Sequence, residues 1–177
     1  MKMYGGMSTH NPVYIGIDQS FTGFAITAYD EYSEYYTSVY KSKLRGVDRL
    51  LDIQSHMREQ LHDFRIKDVA IEGYAFGSQM SNMLGELGGM VKMTLKDDFG
   101  IYPLIVPPTT LKKYVSGKGN IQKNQMLMHG FKKWGIEFDD DNALDSFALA
   151  HLVSGKASLS YEKEVYDKMQ NPDYREK

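Results

Sequence analysis

Two acidic residues sit where a folded chain could use them for chemistry. Asp18 follows the apolar alternation Val13, Ile15, Ile17, and Glu72 follows Val69, Ala70, Ile71, so each closes a stretch with the character of a buried strand. Open α/β sheets present their ligand-binding edge at such strand ends. A lone strand-end Asp is usually a turn former, but two carboxylates ending two buried strands favour a shared site. A third element joins them. In the run DDDNALDSFALAHL, residues 139–152, Asp141 and Asp145 stand four apart and Asn142 three before Asp145, so all three can share one helix face. Helix capping and the macrodipole account for Asp139 to Asp141. Neither accounts for Asp145, one turn inside and at the head of the stripe Phe147, Ala148, Leu149.

Gathering such carboxylates costs about 4 kcal/mol per pair at 4 Å and an effective dielectric constant near 20. A bound cation is the simplest compensation. The chain has no cysteine, which excludes disulfides, thiolate nucleophiles and thiolate-held zinc, and oxygen donors select hard ions such as Mg²⁺ or Mn²⁺. Two such ions roughly 4 Å apart suit in-line attack of water on a phosphodiester. The charge pattern points to a matching substrate. The net charge is −2, from 21 basic and 23 acidic residues, yet residues 101–136 contain no acid and carry Lys112, Lys113, Lys118, Lys123, Lys132 and Lys133. That block of +6 leaves −8 elsewhere and would attract a polyanion such as DNA. Lysines on a solvated helix face are the plainer alternative.

Periodicity predicts the elements that must position these residues. Residues 1–12 show none and read as a flexible lead. Val13 to Ile17 and Phe21 to Tyr29 form a hairpin about the polar trio Asp18-Gln19-Ser20, and Tyr35 to Tyr40 is a third strand, suited by its Thr and Ser to an edge or half-exposed position. A helix spans Gly46 to Phe64, a short strand ends at Glu72, and a second helix runs from Met80 to Leu95. A strand from Ile101 to Val106 is stopped by Pro107-Pro108. A basic loop, Ser116 to Asn120, leads to a helix from Gln122 to Trp134, and the last helix runs from about Asn142 to Val153. This order implies an α/β architecture, a mixed sheet flanked by helices, in one domain spanning 13–155, followed at 156–177 by a terminal helix fragment or polar tail.

With 177 residues, 42% of them hydrophobic, the chain can bury a core, and disordered or collagen-like classes are excluded. No apolar run reaches bilayer length or resembles a signal peptide, so the reading is a soluble, unexported protein with no membrane partner. The segments IGIDQSFTGFAI, VAIEGYAFG, LGELGG, PPTTLKKYVSGKGNIQKNQM and DNALDSFALAHL, in this order between Val13 and Leu152, together resemble the RuvC family of Holliday-junction resolvases, especially its bacteriophage and poxvirus-type members. The resemblance implies an RNase H-like fold, a homodimer, two Mg²⁺ ions and nicking of branched DNA in the cytoplasm, the host's if the chain is phage-encoded. It implies metal ligation by Asp18, Glu72 and Asp145. The family's remaining ligand, an Asp or His three residues before the last Asp, is replaced here by Asn142, with Asp141 one position earlier. Lys112 and Lys123 match the family's DNA-binding and catalytic lysines, with Lys113 and Lys118 beside and between them. Tyr74 and Phe76 match an aromatic that packs on junction bases, and core-filling loop aromatics are the plainer reading of that pair. A catalytically inactive junction-binding module would have lost the carboxylates. IDQSFTGFAI is also similar to a phosphate loop of actin-like ATPases, which need a second domain that this length does not afford.

Overall fold

Alternation in the central strands decides which side chains meet. The computed structural model describes residues 1–7, 11–73 and 81–175, and its strands are β1 (Lys2–Gly6), β2 (Val13–Asp18), β3 (Phe24–Asp30), β4 (Tyr35–Tyr40), β5 (Ile66–Glu72) and β6 (Leu104–Val106). They form one mixed sheet in the order β1-β4-β3-β2-β5-β6, antiparallel from β1 to β2 and parallel from β2 through β5 to β6. On β2, Val13, Ile15 and Ile17 face one core, while Gly16 and Asp18 take the opposite parity. The first core is closed by α1 (Gly46–Leu61) and α2 (Ser81–Phe99), through Ile53, Met57, Leu61, Leu87, Val91 and Leu95. The opposite face is covered by α3 (Pro108–Ser116), α4 (Lys123–Trp134), α5 (Asp141–Val153) and α6 (Ser160–Met169). The result is the mixed sheet between helices that the sequence predicts.

α5 is the pivot of that second layer. Of its 13 residues, 11 are buried, and the two that are not are Asp141 and Asp145. The helix lies close on β2 because Gly16 has no side chain: a Cβ there would overlap the Ser146 carbonyl oxygen and the Ala150 nitrogen, and would stand 2.9 Å from Leu149 Cβ. A buried hydroxyl chain fixes its rotation, with Thr27 Oγ1 2.8 Å from Ser146 Oγ and 2.7 Å from Thr37 Oγ1. Burying these hydroxyls is tolerable because each has a partner.

Several elements depart from the sequence expectation. Residues 2–6, read within a flexible lead, form β1, which pairs with β4 and packs Tyr4 edge-on against Phe138. β4 is therefore interior rather than an edge, and Thr37 and Ser38 are fully buried. Pro107-Pro108 stops β6 but also starts α3, since Pro108 fits a first helical turn, where no N–H bond is lost. The segment read as a terminal helix fragment or polar tail is a helix, α6, followed by a 3₁₀ turn, and it folds back onto the domain. Glu162 of α6 is wholly buried, with its carboxylate 2.5 Å from Lys133 Nζ, and Arg175 forms a forked pair with Asp68 while bridging β6 at Leu104. Burial opposes the charge on Glu162, but hydrogen bonds from Leu159, Lys133 and Ser158 hold its carboxyl below the usual range. Lys133 thus belongs to the core and leaves the basic surface.

The second core also holds a titrating group. His151 of α5 is buried among Tyr29, Tyr114, Trp134 and Phe147, and its Nδ1 is hydrogen-bonded with the Tyr114 hydroxyl at 2.7 Å. Burial pushes its pKa down to about 4, below the unfolded value near 6.5. The unfolded chain then binds the extra proton first, so this contribution to stability is complete above about pH 6.5 and is lost as pH falls toward 4. Denaturant titrations should find the protein about 2 kcal/mol less stable at pH 5 than at pH 7.5 on this account. His151→Phe should flatten that part of the pH dependence.

Candidate active site

Asp18 and Glu72 come together because their strands are neighbours in register. Ile17 pairs with Ile71 across β2 and β5, so the next residue on each strand lies side by side at the carboxyl-end edge. Both have the parity that faces α5, whose first full turn delivers Asp145. One carboxylate oxygen from each of Asp18, Glu72 and Asp145 lies within 4.8 Å of the other two. At that separation each pair repels by about 3–4 kcal/mol for an effective dielectric constant near 20. Asp18 is 5% exposed, so water screens it little. Three convergent carboxylate oxygens form a hard donor set of the kind that holds Mg²⁺ or Mn²⁺.

These three line a cavity of about 430 Å³ together with Gln19, Phe21, Thr22, Lys112, Asp141 and Asn142, among others. Asp140 caps α5, accepting from the Asn142 backbone N–H at 3.0 Å. Asp139 is occupied with Lys2 and Tyr4 of β1, and those hydrogen bonds hold its carboxyl below the usual range. The capping explanation therefore belongs to Asp140, and Asp141 is left on the cavity wall, one turn before Asp145. Asp141 is outside the group of three that lie within 4.8 Å of one another. Asn142 is buried, donates its side-chain amide to Asp140 at 3.1 Å, and fits against Gly23, where a Cβ would come within 2.6 Å of Nδ2.

The predicted basic residues divide. Lys112 lines the carboxylate cavity. Lys113, next in sequence, lines a separate groove and pairs with Glu164 of α6 at 2.5 Å. Lys118 is exposed in the loop after α3, which Gly117 turns with φ of 80° and Ser116 braces by accepting from the Lys118 N–H. Lys123 opens α4, but its side chain lies outside the described residues, as do Tyr74 and Phe76 altogether.

Sequence reasoning missed three residues that build the site. Gln19, read only as part of a turn, donates its amide to the Glu72 backbone carbonyl at 2.8 Å and so ties the end of β2 to the end of β5. Gly16 and Ser146 set the height and rotation of α5. Their signal was present as a glycine inside an otherwise apolar strand and a serine inside an apolar helix, both marks of close approach.

No protein-family model matches the chain, and no curated protein sequence matches it. Among solved structures, the chain is similar to RuvC from Thermus thermophilus in complex with a Holliday junction substrate, with 20% sequence identity, a TM-score of 0.63, and coverage of 90% of this chain and 97% of that one. A second Thermus thermophilus RuvC structure matches at 19% identity and TM-score 0.63, covering 93% of this chain and 98% of that one. The chain therefore has the RuvC, RNase H-like fold.

Proposed function

We propose that this chain is a divalent-metal-dependent endonuclease that nicks Holliday junctions or other branched DNA, with residues 13–155 as the nuclease domain. The convergence of Asp18, Glu72 and Asp145 within 4.8 Å, at the carboxyl edge of the central strands, carries the reading. The RuvC fold supports it. When bound, two Mg²⁺ ions, or Mn²⁺ in their place, would supply charge stabilisation and a nucleophile at neutral pH for hydrolysis, in which water attacks phosphorus and one ester P–O bond breaks. The three carboxylates would hold the metal, Gln19 keeps the Glu72 strand end in place, and Lys112 offsets phosphate charge at the cavity. Lys113, Lys118 and Lys123 are proposed as further phosphate contacts, with Lys118 and Lys123 offered also as catalytic lysines. Tyr74 and Phe76 are proposed to pack on junction bases. A homodimer gives the twofold symmetry that paired nicks need, and the exposed Met83 and Met93 of α2 offer an apolar face for it. The bacteriophage or poxvirus-type assignment, and with it a host-cytoplasm location, rests on the sequence motifs; the two structures named above are from Thermus thermophilus.

Purified protein with Mg²⁺ and end-labelled four-way, three-way, Y-form and linear DNA tests the reading. Nicks mapped near the branch point of the four-way or three-way substrate support it. Equal cutting of linear DNA would reduce it to an unselective nuclease, and no metal-dependent cutting of any substrate would overturn it.

The fourth ligand has its own test. Asp141 shares the unburied face of α5 with Asp145 and lines the cavity, while the N-cap position is held by Asp140, so Asp141 is expected to add charge that balances a second divalent ion. Asp141→Asn should raise the Mg²⁺ concentration needed for half-maximal cleavage about tenfold or more. Asn142→Ala, which removes a neutral contact, should shift it less. An unchanged Mg²⁺ requirement for Asp141→Asn would remove Asp141 from the ligand set.

A further inference from the structure

We infer that residues 41–49 form a second phosphate-binding surface, which holds the DNA backbone on the side of the carboxylate cavity opposite Lys112; the inference rests on the branched-DNA nuclease reading. The segment KSKLRGVDR carries Lys41, Lys43, Arg45 and Arg49 against a single acid, Asp48. It lies outside the lysine-rich block of residues 101–136. Its position follows from topology. β4 and β2 are both antiparallel to β3, so they run the same way, and Tyr40 at the end of β4 pairs with Phe24 just as Asp18 at the end of β2 pairs with Ala25. The chain therefore leaves β4 at the sheet edge where the carboxylates stand.

Side-chain geometry links this segment to the cavity. Ser42 is buried and its hydroxyl accepts from the Leu44 N–H, while Lys41 and Lys43 on either side of it are exposed. Arg45 is exposed and extended at the start of α1. Among the described residues, no ion pair engages Lys41, Lys43 or Arg45. Arg49 donates to the Leu44 carbonyl at 2.7 Å and lays its guanidinium 5.2 Å from the centre of the Phe21 ring, and Phe21 lines the carboxylate cavity. The basic surface thus abuts the wall of the site itself.

Spacing across the sheet suggests what this surface grips. β4 lies two strands from β2 on one side, and β6, which leads into α3 and Lys112, lies two strands from it on the other. Four strand spacings give roughly 20 Å between the two basic flanks, about six nucleotide steps along one strand, with the carboxylates between them. A phosphate backbone crossing the cavity would meet cations on both sides of the bond to be cut. Surface cations that contact phosphate add affinity and salt dependence with little effect on fold.

The test measures binding of the full chain to a labelled four-way junction by fluorescence anisotropy, with Ca²⁺ replacing Mg²⁺, over a range of salt concentrations. The variants are Lys41→Ala/Lys43→Ala/Arg45→Ala and, separately, Lys112→Ala/Lys118→Ala. The triple variant should bind roughly tenfold to a hundredfold more weakly near physiological salt, with a salt slope shallower by up to about 2.7 for three lost contacts. Its thermal unfolding should be unchanged, because all three residues are exposed. Wild-type affinity and slope in the triple variant, with loss in the Lys112/Lys118 variant, would overturn the second surface while leaving the nuclease reading intact. A triple variant that changes molecular mass by light scattering but not DNA affinity would also overturn it, making this face a contact between copies. Failure of the unmodified chain to bind any DNA would overturn both readings.

Discussion

Asp18→Asn is expected to abolish metal-dependent cleavage, by roughly a thousandfold or more, while leaving DNA affinity near that of the wild type. The substitution keeps the shape of a side chain that is 5% exposed and within 4.8 Å of two other carboxylate donors, but removes its charge. Binding is expected to survive because, on the proposed reading, Lys112 and the basic rim rather than the carboxylates attract phosphate. A second readout separates lost ligation from lost folding. A divalent ion that binds only the folded chain stabilises it by about 2.7 kcal/mol at a hundred times its Kd, which for a chain of this size is a Tm increase of about 5–10 °C. Wild type should show that increase on adding Mg²⁺ or Mn²⁺, and Asp18→Asn should lose most of it. Cleavage at the wild-type rate by the variant would rule out Asp18 as a ligand. The same pair of measurements applies to Glu72→Gln and Asp145→Asn.

The second large effect is expected from a residue with no functional group. Gly16→Ala places a methyl group against the Ser146 carbonyl and the Ala150 nitrogen, so α5 must move off β2. Overpacking of this kind costs about 1–3 kcal/mol when side chains can yield, and here the obstacles are backbone atoms, so about 3 kcal/mol or more is expected in a denaturant titration. Asp145 rides on the displaced helix. A shift near 1 Å at a reacting centre costs about a hundredfold in rate, so cleavage measured well below Tm should fall by that order with the three carboxylates chemically intact. Gly23→Ala, which presses instead on the Asn142 amide, should be milder because a side chain can rotate away. Wild-type rate and stability in Gly16→Ala would refute the close-packing argument.

The carboxylates that converge at the sheet edge were legible in the sequence because strand-end acids and a helical i, i+4 pair are local patterns. Val13, Ile15 and Ile17 announced a buried strand, Asp18 and Glu72 closed two such apolar runs with acid, and Asp145 stood where a cap could not explain it. Tyr35–Tyr40 likewise declared itself a strand. What lay beyond reach depended on partners distant in the chain. Residues 2–6, with two glycines and no alternation, become a strand only because β4 supplies hydrogen bonds and Phe138 and Asp139 receive Tyr4. Once β1 is there, Thr37 and Ser38 are interior, and the Thr37 hydroxyl, which suggested an edge, instead joins Ser146 through Thr27. Lys133 looked like one more cation of a basic block until Glu162, from a segment that looked like a tail, was found 2.5 Å away in the core. The choice among Asp139, Asp140 and Asp141 was likewise tertiary: three consecutive acids are equivalent as sequence, and only the packing of α5 on β2 gave one to β1, one to the helix cap and one to the cavity. Sequence determined which residues carry charge and which strands and helices bear them, because those follow from side-chain chemistry and local periodicity. The tertiary structure decided which charges meet, because burial and register are properties of contacts between elements that the chain order leaves unassigned.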